Sequence, residues 1–143
     1  MIKGIRHTGI VVTDMERAQA FYHDLMGLKT VKDFEEKGDY IDSISGLSGV
    51  HLHMVKLIAE DGTMVELLHY LSHPGEVPVN SLVCNIGCSH VAFTVDDIDK
   101  EYARLLKNGV RFNCAPYVSP DGYAKVAFCC DPDGTYIELV EEL

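Results

Sequence analysis

Asp61-Gly62-Thr63-Met64-Val65-Glu66-Leu67 returns later in the chain as Asp133-Gly134-Thr135-Tyr136-Ile137-Glu138-Leu139, with only Met exchanged for Tyr and Val for Ile. A near-verbatim return means one folding unit used twice, and it limits the folds open to the chain more than any other property does. In both copies Asp-Gly signals a tight turn, and the apolar run behind it reads as a strand. In both copies that strand carries a single carboxylate, Glu66 or Glu138. An isolated buried carboxylate is costly, so it needs a partner or a metal.

Each carboxylate has a matching histidine upstream. Arg6-His7-Thr8-Gly9-Ile10-Val11-Val12-Thr13-Asp14 aligns with Ser89-His90-Val91-Ala92-Phe93-Thr94-Val95-Asp96-Asp97, so His7 falls on His90 and Asp14 on Asp97. The two halves follow the order β-α-β-β-β. In the first, residues 5–12 read as a strand. Thr13-x-x-Glu16 is a capping box that opens a helix with Ala18, Phe21, Tyr22 and Leu25 on one face, and Gly27 ends it. Strands follow at 28–34, 50–58 and 63–70. Residues 35–50, charged and then rich in Gly and Ser, read as a loop with a short helical turn around Tyr40 to Ile44. In the second half the strands are 89–95, 110–115, 125–130 and 135–140. Its helix is capped by Asp96 or Asp97 and carries Ile98, Tyr102, Leu105 and Leu106 as its apolar stripe, while 116–122 read as a loop. The domain reading is a single domain over 1–143. Module 1 spans about 1–72 and module 2 about 88–143, with a Pro- and Gly-containing linker over about 73–87.

A chain of 143 residues is long enough for a proper core. Its net charge of −10 argues against nucleic acid and against an anionic membrane surface. There is no long apolar span and no signal-peptide pattern, so the expectation is a soluble, cytoplasmic protein. The five cysteines are odd in number and all lie in the second half, which does not suit a disulfide framework. Their spacing also suits a zinc finger poorly. On a strand, Cys129 and Cys130 point to opposite faces.

Strand alternation gives the histidines their surroundings. His7, Gly9 and Val11 share one face, as do His90, Ala92 and Thr94. The opposite faces, Thr8, Ile10 and Val12 against Val91, Phe93 and Val95, read as helix-packing surface. Met64, Glu66, Leu68 and Tyr70 share a face, matched by Tyr136, Glu138 and Val140. Taken singly, each histidine reads as a core or edge residue bonded to a backbone carbonyl, and each glutamate as a solvated strand end. The matched pairs change that balance. Two imidazoles and two carboxylates suit one borderline divalent ion per site, Ni, Zn, Co, Mn or Fe. His69 has the opposite parity to Glu66 and is not placed with the metal. His51 and His53 share a strand face; they are read as surface or structural, with reach into the cleft as the alternative.

The motifs His7-Thr8-Gly9-Ile10-Val11-Val12, Phe21-Tyr22-His23-Asp24-Leu25-Met26-Gly27-Leu28, Val65-Glu66-Leu67-Leu68, His90-Val91-Ala92-Phe93-Thr94-Val95 and Asp131-Pro132-Asp133-Gly134-Thr135-Tyr136-Ile137-Glu138-Leu139 resemble the vicinal oxygen chelate superfamily over nearly the whole chain. That superfamily includes glyoxalase I, methylmalonyl-CoA epimerase, extradiol dioxygenases and antibiotic-resistance proteins. The resemblance implies an α+β fold of tandem βαβββ modules forming an open, curved mixed sheet around a metal. It implies ligands from the first and last strands of each module, here His7, Glu66, His90 and Glu138.

A complete four-residue set resembles bacterial glyoxalase I and the epimerases. It implies an isomerase or lyase that works through an enediolate on a small carbonyl or thioester substrate, of lactoylglutathione lyase or methylmalonyl-CoA epimerase type. Glu138 or Glu66 is the expected proton acceptor, with Tyr70 and Tyr136 on the same wall as alternatives. A metal-dependent ring-cleaving dioxygenase, and a non-catalytic binder of a small molecule such as an antibiotic, are the other readings. An anionic substrate or a thiol cofactor calls for a local cation, and Lys32, Lys37, Lys56, Arg111 and Lys125 are the candidates. Pairing of exposed sheet edges leads to the expectation of a homodimer.

Overall fold

The computed structural model describes residues 1–77 and 82–143; the linker expected over 73–87 therefore lies partly outside the described residues. The chain divides into two compact units, Met1–Glu76 and Val77–Leu143. Each contains one four-stranded mixed sheet and few helices, an α+β arrangement.

Unit 1 runs β1 (Thr8–Val11), α1 (Met15–Gln19), β2 (Lys29–Lys37), α2 (Asp39–Ser45), β3 (His51–Ile58) and β4 (Met64–Tyr70). The strand order is β1-β4-β3-β2, with β1 parallel to β4 and the other neighbours antiparallel. Asp14, not Thr13, caps α1: its Oδ1 accepts from the Arg17 backbone N at 2.9 Å. The helix widens over Ala20–Leu25 into a π turn, where the Met26 N–H reaches the Phe21 carbonyl at 2.8 Å. Gly27, at a φ of 78°, ends it, a conformation glycine adopts freely. Met15, Ala18, Phe21 and Tyr22 are buried, as are Ile10, Val12, Val55, Leu57, Val65 and Leu67, which share one face of the sheet. Fully burying each large aliphatic or aromatic side chain stabilises the fold by roughly 1.5–3 kcal/mol.

One further expectation for unit 1 is corrected, and another is borne out. Residues 35–37 are not loop: β2 continues through Glu35-Glu36-Lys37, paired to His51, Leu52 and His53. A strand at the margin of a sheet tolerates charge on its solvated side, so charge there does not end it. The short helical turn expected around Tyr40 to Ile44 is present as the helix Asp39–Ser45, closed by Gly46. The Asp42 carboxylate then accepts from the backbone N of Gly49 at 2.7 Å and of Val50 at 2.8 Å, which leads the chain into β3.

Unit 2 runs β5 (His90–Thr94), α3 (Ile98–Lys107), β6 (Tyr117–Val118), β7 (Ala124–Cys130) and β8 (Tyr136–Glu142), in the sheet order β5-β8-β7-β6. β5 is parallel to β8. Asp97 caps α3 at the Lys100 N–H, the counterpart of Asp14, and the Ile98 N–H donates to Glu141 on β8 at 2.9 Å. The expected stripe of α3 holds for Ile98 and Leu105, both fully buried, and Tyr102 packs edge-on against Phe112. Leu106 does not belong to it and is exposed. Residues 110–115 are not a strand either. They contribute a single bridge, Phe112 to Cys129, and the pairing strand is Tyr117–Val118, in what reads from the sequence as loop.

The duplicated turns match bond for bond. Ala59 N donates to Thr63 O and Gly62 N to Ala59 O; Asp131 N donates to Thr135 O and Gly134 N to Asp131 O. Gly62 and Gly134 both take positive φ, 88° and 92°. The copies differ in which side chain braces the turn. Asp61 bonds the Thr63 backbone in the first, while the buried Asp131 accepts from the Asp133 and Thr135 backbones in the second.

Candidate metal centre

The repeat delivers one His–Glu pair to each unit. In the parallel ladder β1–β4, Gly9 is the partner of Glu66; in β5–β8, Ala92 is the partner of Glu138. The histidine two residues earlier shares the face of that small residue, so its ring turns toward the carboxylate on the neighbouring strand. The His7 Nε2 lies 3.3 Å from Glu66 Oε2, and the His90 Nε2 lies 3.2 Å from Glu138 Oε2. The structure therefore brings His7 to Glu66 and His90 to Glu138. Among the described residues no group of three or more His, Cys, Asp or Glu side chains gathers for a metal ion.

The donor chemistry suits a divalent ion. Imidazole and carboxylate are the ligands that borderline first-row metals take, and each pair points its Nε2 and Oε2 toward one another. The two halves are not alike in their surroundings. Glu66 is the more enclosed, with its side chain 7% exposed against 20% for Glu138. Opposite Glu66 on β3 stands Lys56, and opposite Glu138 on β7 stands Phe128. The Lys56 Nζ comes to 2.6 Å from Glu66 Oε1. Its approach falls outside hydrogen-bond geometry, so this fully buried oxygen is held by charge. Phe128 instead packs edge-on against the His90 ring, with centroids 5.1 Å apart.

The other candidates separate clearly. Tyr70 and Leu68 pack against a buried cluster of Ile41, Val50 and Leu52, so α2 fills the far part of the face that carries Glu66. Tyr136 lines a cavity of about 760 Å³ within unit 2, together with Val77, Cys88, Arg111, Asn113 and Cys130. His51 and His53 lie on the opposite face from Glu66 and meet carboxylates of β2. The His51 Nε2 is 2.6 Å from Glu35 and the His53 Nε2 is 2.7 Å from Asp33. Hydrogen bonding to His51 holds the Glu35 carboxyl below its ordinary range. Lys37 lies near Glu35, Lys125 pairs with Asp99, and Lys32 rests over the Phe34 ring. Of the five basic candidates only Lys56 touches a proposed ligand. Strand alternation alone points to it, because Leu52, Met54, Lys56 and Ile58 share a face on which a lysine is out of place.

Residues 4–139 match the family model of the Glyoxalase/Bleomycin resistance protein/Dioxygenase superfamily. The chain belongs to this superfamily. Among its relatives is the uncharacterized protein YaeR of Escherichia coli (strain K12), 30% identical over 99% of this chain and 98% of that protein. The lactoylglutathione lyase of Salmonella typhimurium is 26% identical, covering 94% of this chain and 90% of the enzyme. The lactoylglutathione lyase of Schizosaccharomyces pombe is 28% identical over 96% of this chain, which spans only 47% of that enzyme. In structure, the glyoxalase family protein from Bacillus cereus superposes with a TM-score of 0.85 at 26% identity, covering 100% of this chain and 96% of that one. TnmS3, an antibiotic binding protein from Streptomyces sp. CB03234, shares the fold with a TM-score of 0.66 at 23% identity over 99% of this chain and 98% of that one. Superfamily membership accounts for the doubled βαβββ order and its two mixed sheets. Among the described residues no helix is long and apolar enough to cross a membrane.

Proposed function

We propose that this superfamily member is a divalent-metal-dependent isomerase or lyase of lactoylglutathione lyase or epimerase type, with His7, Glu66, His90 and Glu138 as its ligands. The observation that carries the reading is the duplicated His–Glu contact, Nε2 to Oε2 at 3.3 and 3.2 Å in matching registers. The relatives named lactoylglutathione lyase support it. A bound ion supplies Lewis-acid stabilisation of the oxyanion that forms when a proton leaves the carbon beside a carbonyl. The imidazole of His90 stands at the start of β5 and that of His7 immediately before β1. One carboxylate, Glu138 or Glu66, accepts the proton and returns it. The substrate class is a small carbonyl or thioester compound.

The test compares the parent with His90→Ala and Glu138→Gln. Elemental analysis should find about one divalent ion per site in the parent and at least tenfold less in His90→Ala. Incubation in heavy water with the hemithioacetal of methylglyoxal and glutathione, or with a methylmalonyl thioester, should wash deuterium into the α-carbon. Equal metal content in parent and His90→Ala, or parental exchange in both Glu138→Gln and Glu66→Gln, defeats the reading. Oxygen uptake with a catechol would favour a ring-cleaving dioxygenase instead. A homodimer and a cytoplasmic setting belong to the same proposal, and sedimentation at micromolar concentration tests the first.

A further inference from the structure

The internal repeat is broken at one position that matters to the proposed ligands. Lys56 and Phe128 occupy the same place in the two sheets, each the antiparallel partner of a proposed ligand glutamate. In unit 1 the two oxygens of Glu66 are divided between two neighbours. Oε2 faces His7 at 3.3 Å, and Oε1, buried and without a hydrogen bond, faces the Lys56 ammonium at 2.6 Å. Lys56 is itself only 27% exposed. A buried carboxylate oxygen left without its cation is strongly unfavourable, so the pair resists separation.

The geometry points to Lys56 as a positioning residue: by holding Oε1 it presents Glu66 to a metal through Oε2 alone. Glu138, opposite a phenyl ring, has no such restraint on its second oxygen from β7. The two carboxylates are thereby made unequal, one held as a single-oxygen ligand and the other with a phenyl ring in place of a cation opposite it. Partners behind a ligating carboxylate commonly govern metal affinity by 10- to 100-fold. The inference rests on the four-ligand proposal and assigns Lys56 a place behind it. The opposite role, a lysine that competes with the metal for Glu66, predicts the reverse change in affinity.

The experiment titrates Co²⁺ alone into the parent, Lys56→Met, Lys56→Gln and Lys56→Arg, following the visible absorption of the ion. Circular dichroism reports whether each variant is folded, and Lys56→Gln serves if Lys56→Met is not. Positioning predicts that Lys56→Met and Lys56→Gln bind Co²⁺ about 10- to 100-fold more weakly, with an altered band shape because Glu66 is free to bind through both oxygens. Lys56→Arg should restore the parental spectrum and come within about threefold of the parental affinity. Unchanged affinity and spectrum in the neutral variants overturn the inference and leave the ligand set standing. Tighter binding overturns it in favour of competition. A parent that binds no Co²⁺ overturns both this inference and the ligand set.

Discussion

The His90 imidazole meets the Phe128 ring edge-on, at an interplanar angle of 76° and a centroid distance of 5.1 Å. Phe128 thus braces a proposed metal ligand while standing opposite the glutamate that pairs with it. Edge-to-face contacts of this kind fix orientation as well as bury area. Phe128→Ala should keep the fold yet reduce divalent-metal affinity by about tenfold, because the ring that orients His90 is lost. Isothermal titration of the variant beside the parent measures this. Unchanged affinity would mean that the β5–β8 ladder alone fixes His90.

Asp42, midway along α2, ties that helix to the residues just before β3, and the backbone N–H groups of Gly49 and Val50 hold its carboxyl below its ordinary value of 3.8. A depressed folded-state pKa stabilises the fold above the unfolded value, and that contribution is lost as pH falls through the folded value. Acid titrations of parent and Asp42→Asn should therefore differ below about pH 4, with the parent losing stability the more steeply. Parallel curves would show that the two backbone bonds carry no charge dependence.

Glu141 reaches from β8 to the Ile98 N–H at the first turn of α3. Backbone donors at a helix start have no partner within the helix, and a charged acceptor is the better one to have. Glu141→Ala should destabilise the protein by about 1–2 kcal/mol. Denaturant midpoints measure it, and Glu141→Gln should recover part of the loss.

Burial pushes the Cys129 thiol up to about 12, with Cys130 and Asp131 adding to the rise. Cys84 and Cys114 are exposed. Alkylation at pH 8 followed by mass spectrometry should mark Cys84 and Cys114 early and leave Cys129 unmarked until the chain is unfolded. Early labelling of Cys129 would show that the β7 face opens in solution.

What the chain writes twice is legible in its sequence. The matched heptapeptides and the matched histidines lead to the doubled βαβββ order and to the faces on which His7, Glu66, His90 and Glu138 stand. Departures from the repeat are harder to read. β2 runs on through Glu35-Glu36-Lys37 because these residues pair with His51, Leu52 and His53 on β3, where His51 meets the Glu35 carboxylate, a fact that lies in pairing and not in composition. The cap at Asp14 is masked by the neighbouring Thr13-x-x-Glu16, although its counterpart Asp97 marks the right residue. Tyr117–Val118 pairs with β7 in a stretch whose Pro and Gly speak for a loop. Strand alternation marks Lys56 as out of place among Leu52, Met54 and Ile58, but its pairing with Glu66 lies in the register between β3 and β4.

Gly9 is the ladder partner of Glu66, and a methyl group added there would come within 3.3 Å of the Leu68 side chain. Its backbone is not in the left-handed region, so flexibility is not what this position requires of its residue. What it requires is vacancy. The second sheet tolerates Ala92 at the matching place. The two halves of the molecule therefore differ by the width of a single methyl group at the threshold of their His–Glu pairs. Gly9→Ala would oblige Leu68, which shares the face of Glu66, to give way by a few tenths of an ångström.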